Sequence, residues 1–360
     1  MSGRGGPEQA APDVPAIRSA YRRTLKKKIT IAVARFWAGA TASDIVDTVL
    51  PDLKAHFDFE PSASPQLVLY GPYAGELPEG TYTKIFIGCE NVRPIMAECD
   101  WAFGVLHEDN VRHPRYMRLQ RWGDDSHLIR EDKDWAGVLQ AKTRFCAFLY
   151  ANECPYREAF FRALSAYKYV DAPGRSMNNM PGIDPVPGQI DWKVKIEFLR
   201  AYKFVVAFEN SSAPGYNTEK LTHAIEADAM PIYWGDSEIG RSFNTGRFIN
   251  AHDYLPKPRR LLPRLPYAAH SIRNGSAPTI LQKVSRRING HANDIEQRIW
   301  AAAGFDALVG RVVALDRDDD LYLSHLRQPF LIGNRLPDRS AWVARWHEIL
   351  AATRSTAEGF

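Results

Sequence analysis

Short apolar runs rich in β-branched and aromatic residues alternate along this chain with segments whose apolar residues recur every three or four positions. Lys28–Phe36, Gln66–Tyr70, Lys84–Ile87 and Trp101–Leu106 read as strands. Between the first two, Ser43 can cap a helix from Asp44 to about His56, with Ile45, Val49 and Leu53 on one side. Further on, Arg144–Tyr150 reads as a strand, with a helix following through about Ala166, and Trp192–Tyr202 reads as helical. Lys203–Phe208 is the next strand and Glu209–Pro214 a polar loop. Thr218 can cap a helix from about Glu219 to Ala229 that carries Leu221, Ile225 and Ala229 on one face, and Met230–Trp234 is another strand. Strands alternating with helices predict an α/β protein with parallel, doubly wound sheets. The pattern divides into residues 1–140, 141–335 and a terminal stretch 336–360. That last stretch holds an amphipathic helix, Ser340–Ala352, with Trp342, Trp346, Ile349 and Leu350 on one stripe, which can pack back on the N-terminal domain. Leu255–Pro266, with four prolines, suits a loop, and Ala269–Gly290 has no clear assignment.

Ligands of such sheets bind where strand ends meet helix N-termini. Two such places carry charge here. A helix starting at Thr218 with Lys220 in its first turn suits a phosphate, although Glu219 and Lys220 as ordinary solvated charges fit the pattern about as well. Arg157 stands at another helix N-terminus, where a cation opposes the helix dipole and a phosphate partner would explain it. No G-x-G-x-x-G follows the first strand, which argues against a dinucleotide. Glu90 lies just past the third strand, where a lone glutamate is most often a solvated charge. Phe36 and Trp37 end the first strand on the same sheet edge. Either can stack on a sugar ring or belong to the core; Trp37, beside Ala38 and Gly39 in a turn, is the better cleft residue. Asp124-Asp125 reads as a solvated turn and not as a metal site.

Composition excludes more than it selects. The 360 residues suffice for two domains with sizeable cores, and 45% hydrophobic with 24% charged residues are ordinary globular values. A formal net charge of +4 can favour an anionic sugar nucleotide and does not point to nucleic acid. Cys89, Cys99, Cys146 and Cys154 form no C-x-x-C pair and no zinc spacing, so buried free thiols are expected. No apolar run of about 18 residues is present and Met1–Pro15 has no signal-peptide core, which predicts a cytoplasmic protein. Tyr21–Lys28, YRRTLKKK, reads first as a solvated face and second as a weak peripheral contact with the inner membrane surface. Oligomeric state is not legible.

Several of these stretches resemble one family. Phe208-Glu209-Asn210, a short polar loop and then Y-x-T-E-K-L at Tyr216–Leu221 resemble the donor signature of the family 10 α-1,3-fucosyltransferases of bacterial type. PIYWG at Pro231–Gly235 and FINAHDY at Phe248–Tyr254 are similar to that family as well. So is the loop GCENVRP at Gly88–Pro94, where Cys89 departs slightly from the pattern, and so is P-x-R-x-x-F from Pro155 to Phe160. The resemblance covers Lys28 to Tyr254 in patches. It implies a GT-B fold, two Rossmann-like domains facing across a cleft. It implies inverting transfer of L-fucose from GDP-β-L-fucose to an oligosaccharide, namely the 3-hydroxyl of N-acetylglucosamine in an N-acetyllactosamine-type acceptor. It implies Glu90 as general base and Arg157 on the donor diphosphate, with Ser176 and Asn178 in a loop near the nucleotide. Lys220 and the Thr218 helix end would join Arg157, Glu219 would favour oxocarbenium character, Tyr216 could bond a phosphate, and Asn210 could hold the loop or the donor. With these cations in place no cofactor and no metal is required. The alternatives are another GDP-sugar transferase and a nucleotide-sugar-binding protein without turnover; Glu90 separates the last, because a binder needs no base.

Overall fold

A computed structural model describes residues 26–37, 39–73, 75–119, 125–184, 191–256, 261–262 and 280–353, without the side chains at 280–283 and 285–286. Met1–Pro15, Asp124, most of the basic run Tyr21–Lys28 and most of 255–279 lie outside these residues.

The first half builds β1 (Lys27–Ala34), α1 (Ala42–Val49), β2 (Phe57–Pro61), β3 (Leu67–Tyr70), β4 (Thr83–Gly88), β5 (Trp101–Gly104), α2 (Glu108–Val111) and β6 (Tyr116–Arg118). These strands form one parallel sheet in the order β2-β1-β3-β4-β5-β6. After α3 (Trp135–Gln140), the second half builds β7 (Arg144–Ala147), α4 (Pro155–Ser165), β8 (Val170–Asp171), α5 (Trp192–Leu199), β9 (Tyr202–Phe208), α6 (Glu219–Glu226), β10 (Met230–Trp234) and β11 (Ile249–Asn250). Its sheet is also parallel, ordered β11-β10-β9-β7-β8. Helices α7 (Ile280–Ala302), α8 (Asp306–Arg317), α9 (Asp319–Leu326) and α10 (Ser340–Ala352) complete the chain. The α/β class and the two-domain GT-B arrangement are those expected from the sequence.

Several local expectations need correction. The helix predicted from Asp44 to His56 ends at Val49, because Pro51 cannot continue it, and a 3-10 turn spans Pro51–Ala55. Its cap is Thr41, not Ser43: Asp44 N donates to Thr41 Oγ1 at 3.2 Å while Thr41 N donates to Asp44 Oδ2 at 2.8 Å, a reciprocal capping box. β1 stops at Ala34, where Arg35 turns the chain in the left-handed region (φ +59°). Strands β2, β6, β8 and β11 escaped the pattern; they are two to five residues long and lie at or beside sheet edges.

Helix α10 belongs to the first domain's core. Phe103 of β5 stacks on Trp346 at 5.3 Å and meets Trp342 edge-on at 4.6 Å. Trp342, Trp346, Ile349 and Leu350 are all buried among Ile29, Ile31 and Leu69. Full burial of each such side chain contributes about 1.5–3 kcal/mol, so the last helix anchors firmly to the first sheet.

Both sheets have a topological switch, the place where α/β proteins bind ligands. In the second, the chain runs from β7 outward to β8 and then returns past β7 to β9, so a crevice opens at the carboxyl ends of β7 and β9, between the starts of α4 and α6. In the first, β1 and β3 flank the switch, with the loop after β4 beside it. The halves are tied together nearby. Arg118 donates to Ser242 Oγ at 3.0 Å and to Gly215 O at 3.3 Å, and Asn91 donates to Ser211 Oγ at 3.0 Å. Gly215 (φ +89°) passes so close to the first domain that a Cβ there would lie 2.5 Å from Val105 O.

Candidate active site

A polar cavity of about 420 Å³ lies between the domains, lined by Glu90 and Asn91 from one side and by Asn152, Arg157, Asn210 and Gln297 among others from the other. Glu90 is held by two phenols. Tyr73 Oη donates to Glu90 Oε1 and Tyr216 Oη donates to Glu90 Oε2, each at 3.1 Å. Tyr73 comes from the first domain and Tyr216 from the second, so this carboxylate sits at the seam. Burial and the neighbouring carboxylates push the Tyr216 hydroxyl far above its usual pKa, which keeps it a donor. Asn210 accepts from Tyr216 Oη at 3.1 Å through Oδ1. Burial likewise pushes the Cys89 thiol up to about 12, beside Glu90 and Tyr73.

Arg157, only 3% exposed, lies with its guanidinium carbon 4.1 Å from the Tyr150 ring centroid and donates from Nη2 to Asn152 O at 2.9 Å. Its Nε is buried and has no hydrogen-bond partner among the described residues. A buried donor left unmade costs about 1–3 kcal/mol, so an anion entering here would complete it.

The residue that sequence reasoning passed over is Glu209, at the carboxyl end of β9. It is fully buried, yet its carboxylate accepts from Thr218 N at 2.7 Å, from Thr218 Oγ1 at 2.9 Å and from Lys220 Nζ at 3.0 Å. Burial raises its pKa, opposed by the attraction of Lys220. Gly235 explains itself in this light: a Cβ there would lie 2.4 Å from Glu209 Cγ. The signal was available, since Lys220, twelve residues after the buried strand end at Phe208, needs a counter-ion, and the glutamate of FEN is the nearby candidate.

Glu209 changes the expected roles around it. Thr218 does occupy the cap position of α6, but its hydroxyl bonds Glu209 and not the helix backbone, so the side-chain cap is absent. Lys220 is partnered by Glu209, lies 3.8 Å from Glu219, and feels the charge of Arg157. Glu219 keeps a lowered pKa despite desolvation, because Lys220, Lys195 and His223 attract its charge. Tyr216, expected on a phosphate, is instead committed to Glu90 and Asn210. Ser176 donates to Glu158 Oε1 at 3.0 Å, and Asn178 donates to the Gly174 and Met180 carbonyls at 2.9 and 3.0 Å, so both organise the loop after β8. Phe36 is corrected from acceptor residue to core residue: it is buried among Ile31 and Leu69. Trp37 is 43% exposed and meets Phe36 edge-on at 5.9 Å. The cavity thus joins Glu90, Arg157 and Asn210; Thr218, Glu219 and Lys220 surround Glu209 beside it, and Trp37 lies outside its lining. Among the described residues no group of three His, Cys, Asp or Glu could hold a metal ion, and no helix is long and apolar enough to cross a membrane. All four cysteines are free.

The alpha-(1,3)-fucosyltransferase FucT N-terminal domain family matches residues 31–123, and the C-terminal glycosyltransferase family 10 (fucosyltransferase) family matches 139–271. The two matches follow in order, cover most of the chain and divide at the seam between the sheets. The chain belongs to glycosyltransferase family 10. A putative fucosyltransferase R654 of Acanthamoeba polyphaga mimivirus is 37% identical over 35% of this chain and 22% of its own length. The alpha-(1,3)-fucosyltransferase FucT of Helicobacter pylori is 38% identical over 31% of this chain and 22% of its own. The matches to these relatives therefore span under a quarter of their length. In fold, this family 10 chain matches a crystal structure of an alpha1,3-fucosyltransferase with GDP-fucose, with a TM-score of 0.63 at 19% identity over 98% of this chain and 96% of that one. A related structure with GDP gives a TM-score of 0.64 at 20% identity over 92% and 93%.

Proposed function

We propose that this protein transfers L-fucose from GDP-β-L-fucose to a sugar hydroxyl with inversion, the 3-hydroxyl of N-acetylglucosamine in an N-acetyllactosamine-type acceptor, with Glu90 as the base. The observation that carries the reading is one cavity lined by both Glu90 from the first domain and Arg157, with its unmade Nε hydrogen bond, from the second. Base and leaving-group cation from different domains suit a single displacement. An acceptor hydroxyl is too weak an acid to ionise alone, so a carboxylate within hydrogen-bond reach removes its proton as the bond forms. Tyr73 and Tyr216 hold both Glu90 oxygens and aim them. GDP leaves as an anion, and preorganised cations at its diphosphate lower the barrier. Arg157 and Lys220 fill that role, Glu209 holding Lys220 in place. Glu219 would favour oxocarbenium character at the fucose. The Helicobacter pylori relative, named an alpha-(1,3)-fucosyltransferase, and the matched fucosyltransferase crystallised with GDP-fucose support the donor. A Homo sapiens relative named 4-galactosyl-N-acetylglucosaminide 3-alpha-L-fucosyltransferase, 36% identical over 32% of this chain, supports the acceptor.

A screen of GDP-sugars against oligosaccharides, read as GDP release, tests this. GDP-fucose with N-acetyllactosamine should release GDP well above the donor-only rate; release from another GDP-sugar alone would overturn the donor assignment. The same assay in EDTA should keep its rate, because cationic side chains already serve the diphosphate. Complete loss of activity restored by a divalent ion would contradict that.

Two substitutions divide the labour between domains. Arg157→Ala and Lys220→Ala should each weaken GDP by about 1.5–3 kcal/mol, the worth of a charged hydrogen bond. Calorimetry on folded variants showing unchanged GDP affinity in both would refute the diphosphate site. Trp37→Ala should raise the acceptor KM while GDP affinity stays within about twofold, roughly 0.4 kcal/mol, since an exposed indole beside the switch can stack on a sugar face. Collapse of GDP binding with normal acceptor kinetics would move Trp37 out of the acceptor site.

A further inference from the structure

Arg35, just after β1, is buried, and its guanidinium carbon lies 5.5 Å from the ring centroid of Tyr70 in β3. It grips the segment after β3 at two points. Its carbonyl accepts from Tyr73 N at 3.2 Å, and its Nε donates to Gly75 O at 2.9 Å. One residue thus holds the chain at Tyr73 and again two positions later. Tyr73 carries the phenol that donates to Glu90 Oε1 at 3.1 Å. The two phenols on Glu90 are fixed differently. Tyr216 is 1% exposed, so the packing around it locks its ring, whereas Tyr73 is 39% exposed and depends on its backbone for its place. Arg35 itself is held at a cost. It stands in the left-handed region at φ +59°, which strains a residue with a side chain, and its Nη2 is buried with no hydrogen-bond partner among the described residues. Strain and an unmade bond persist where the surroundings hold them in place, often beside a functional group.

We propose that Arg35 is a positioning residue for Glu90. Its bonds to Tyr73 N and Gly75 O set where the Tyr73 hydroxyl stands, and that hydroxyl sets the direction of the carboxylate. The inference rests on the proposed role of Glu90 as base. Arg35 touches neither donor nor acceptor in this account; it acts only through Tyr73.

The test crosses Arg35→Met with Tyr73→Phe. It reads kcat, GDP affinity and the Tyr73 13Cζ NMR signal, which the Tyr73→Phe spectrum identifies. Arg35→Met keeps an apolar stem without a donor, and loss of a buried charge is compatible with a stable fold. Tyr73→Phe should lower kcat by about 10–100-fold, the worth of a hydrogen bond to a charged group. Arg35→Met should lower kcat by a similar factor with GDP affinity unchanged. The double variant should match the slower single variant within about twofold, because both changes break the same link. Arg35→Gln places an amide nitrogen as many bonds from Cα as Nε and should recover most of the loss. In Arg35→Met the Tyr73 signal should move toward its position in Glu90→Ala; in Arg35→Gln it should stay near that of the parent. Parental kcat in folded Arg35→Met, losses that multiply in the double variant, Arg35→Gln as slow as Arg35→Met, or an unmoved Tyr73 signal each overturns the proposal. Arg35→Leu provides a second donor-free variant should Arg35→Met fold poorly. The NMR signal needs no turnover, so a parent protein that transfers no fucose would sink the proposed function while the Tyr73 signal still decides this inference.

Discussion

Glu90→Gln is expected to lower kcat by about 10²–10⁴-fold, the usual contribution of a general base, with GDP affinity unchanged. The substitution keeps the shape of the side chain and removes only its basicity. One of the two phenols that donate to Glu90 would then face an amide NH₂ and must turn to accept, a modest local cost. Arg157 and Lys220, on the other domain, do not hydrogen-bond Glu90, so the donor should still bind. A folded Glu90→Gln protein with parental kcat would end the assignment and direct attention to another carboxylate on the cleft.

Glu209→Ala should be the most damaging single change to stability near the site, at about 3–5 kcal/mol, the cost of leaving a buried charge without its partner. The carboxylate accepts bonds from Thr218 N, Thr218 Oγ1 and Lys220 Nζ, and it is fully buried. Its removal orphans the Thr218 amide just ahead of α6 and frees Lys220 from its position, so GDP binding should fall along with stability. Denaturant unfolding reads the first effect and calorimetry the second. Loss of less than about 1 kcal/mol would mean that water replaces the carboxylate and that Glu209 is no framework for Lys220.

What the sequence made legible follows from its physics. Phe204–Phe208 and Met230–Trp234 are buried on both faces, so they read as continuous apolar runs, and the central strands of the second sheet were found in this way. The edge strands β2 and β8 are short and partly polar, and periodicity cannot mark them. The seam residues Glu90, Arg157 and Asn210 stood out through the resemblance to the family, and the fold brings them to one cavity. Glu209 did not, because an acidic residue after a strand reads as the start of a loop; only the fold shows that it points inward to Thr218 and Lys220. Phe36 and Trp37 are adjacent, and the turn residues Ala38 and Gly39 already favoured Trp37 as the exposed one of the pair; the left-handed Arg35 just before them accompanies a buried Phe36 and an exposed Trp37.

The measurement that tests the central claim most directly is proton NMR of the product formed from GDP-β-L-fucose and N-acetyllactosamine. A base from the first domain and the diphosphate cations from the second predict a single displacement, hence an α-linked fucose, on the 3-hydroxyl of N-acetylglucosamine of the proposed acceptor, formed about 10²–10⁴-fold more slowly with Glu90→Gln. A β-linked product, or an α-linked product formed at the parental rate by Glu90→Gln, would contradict the account.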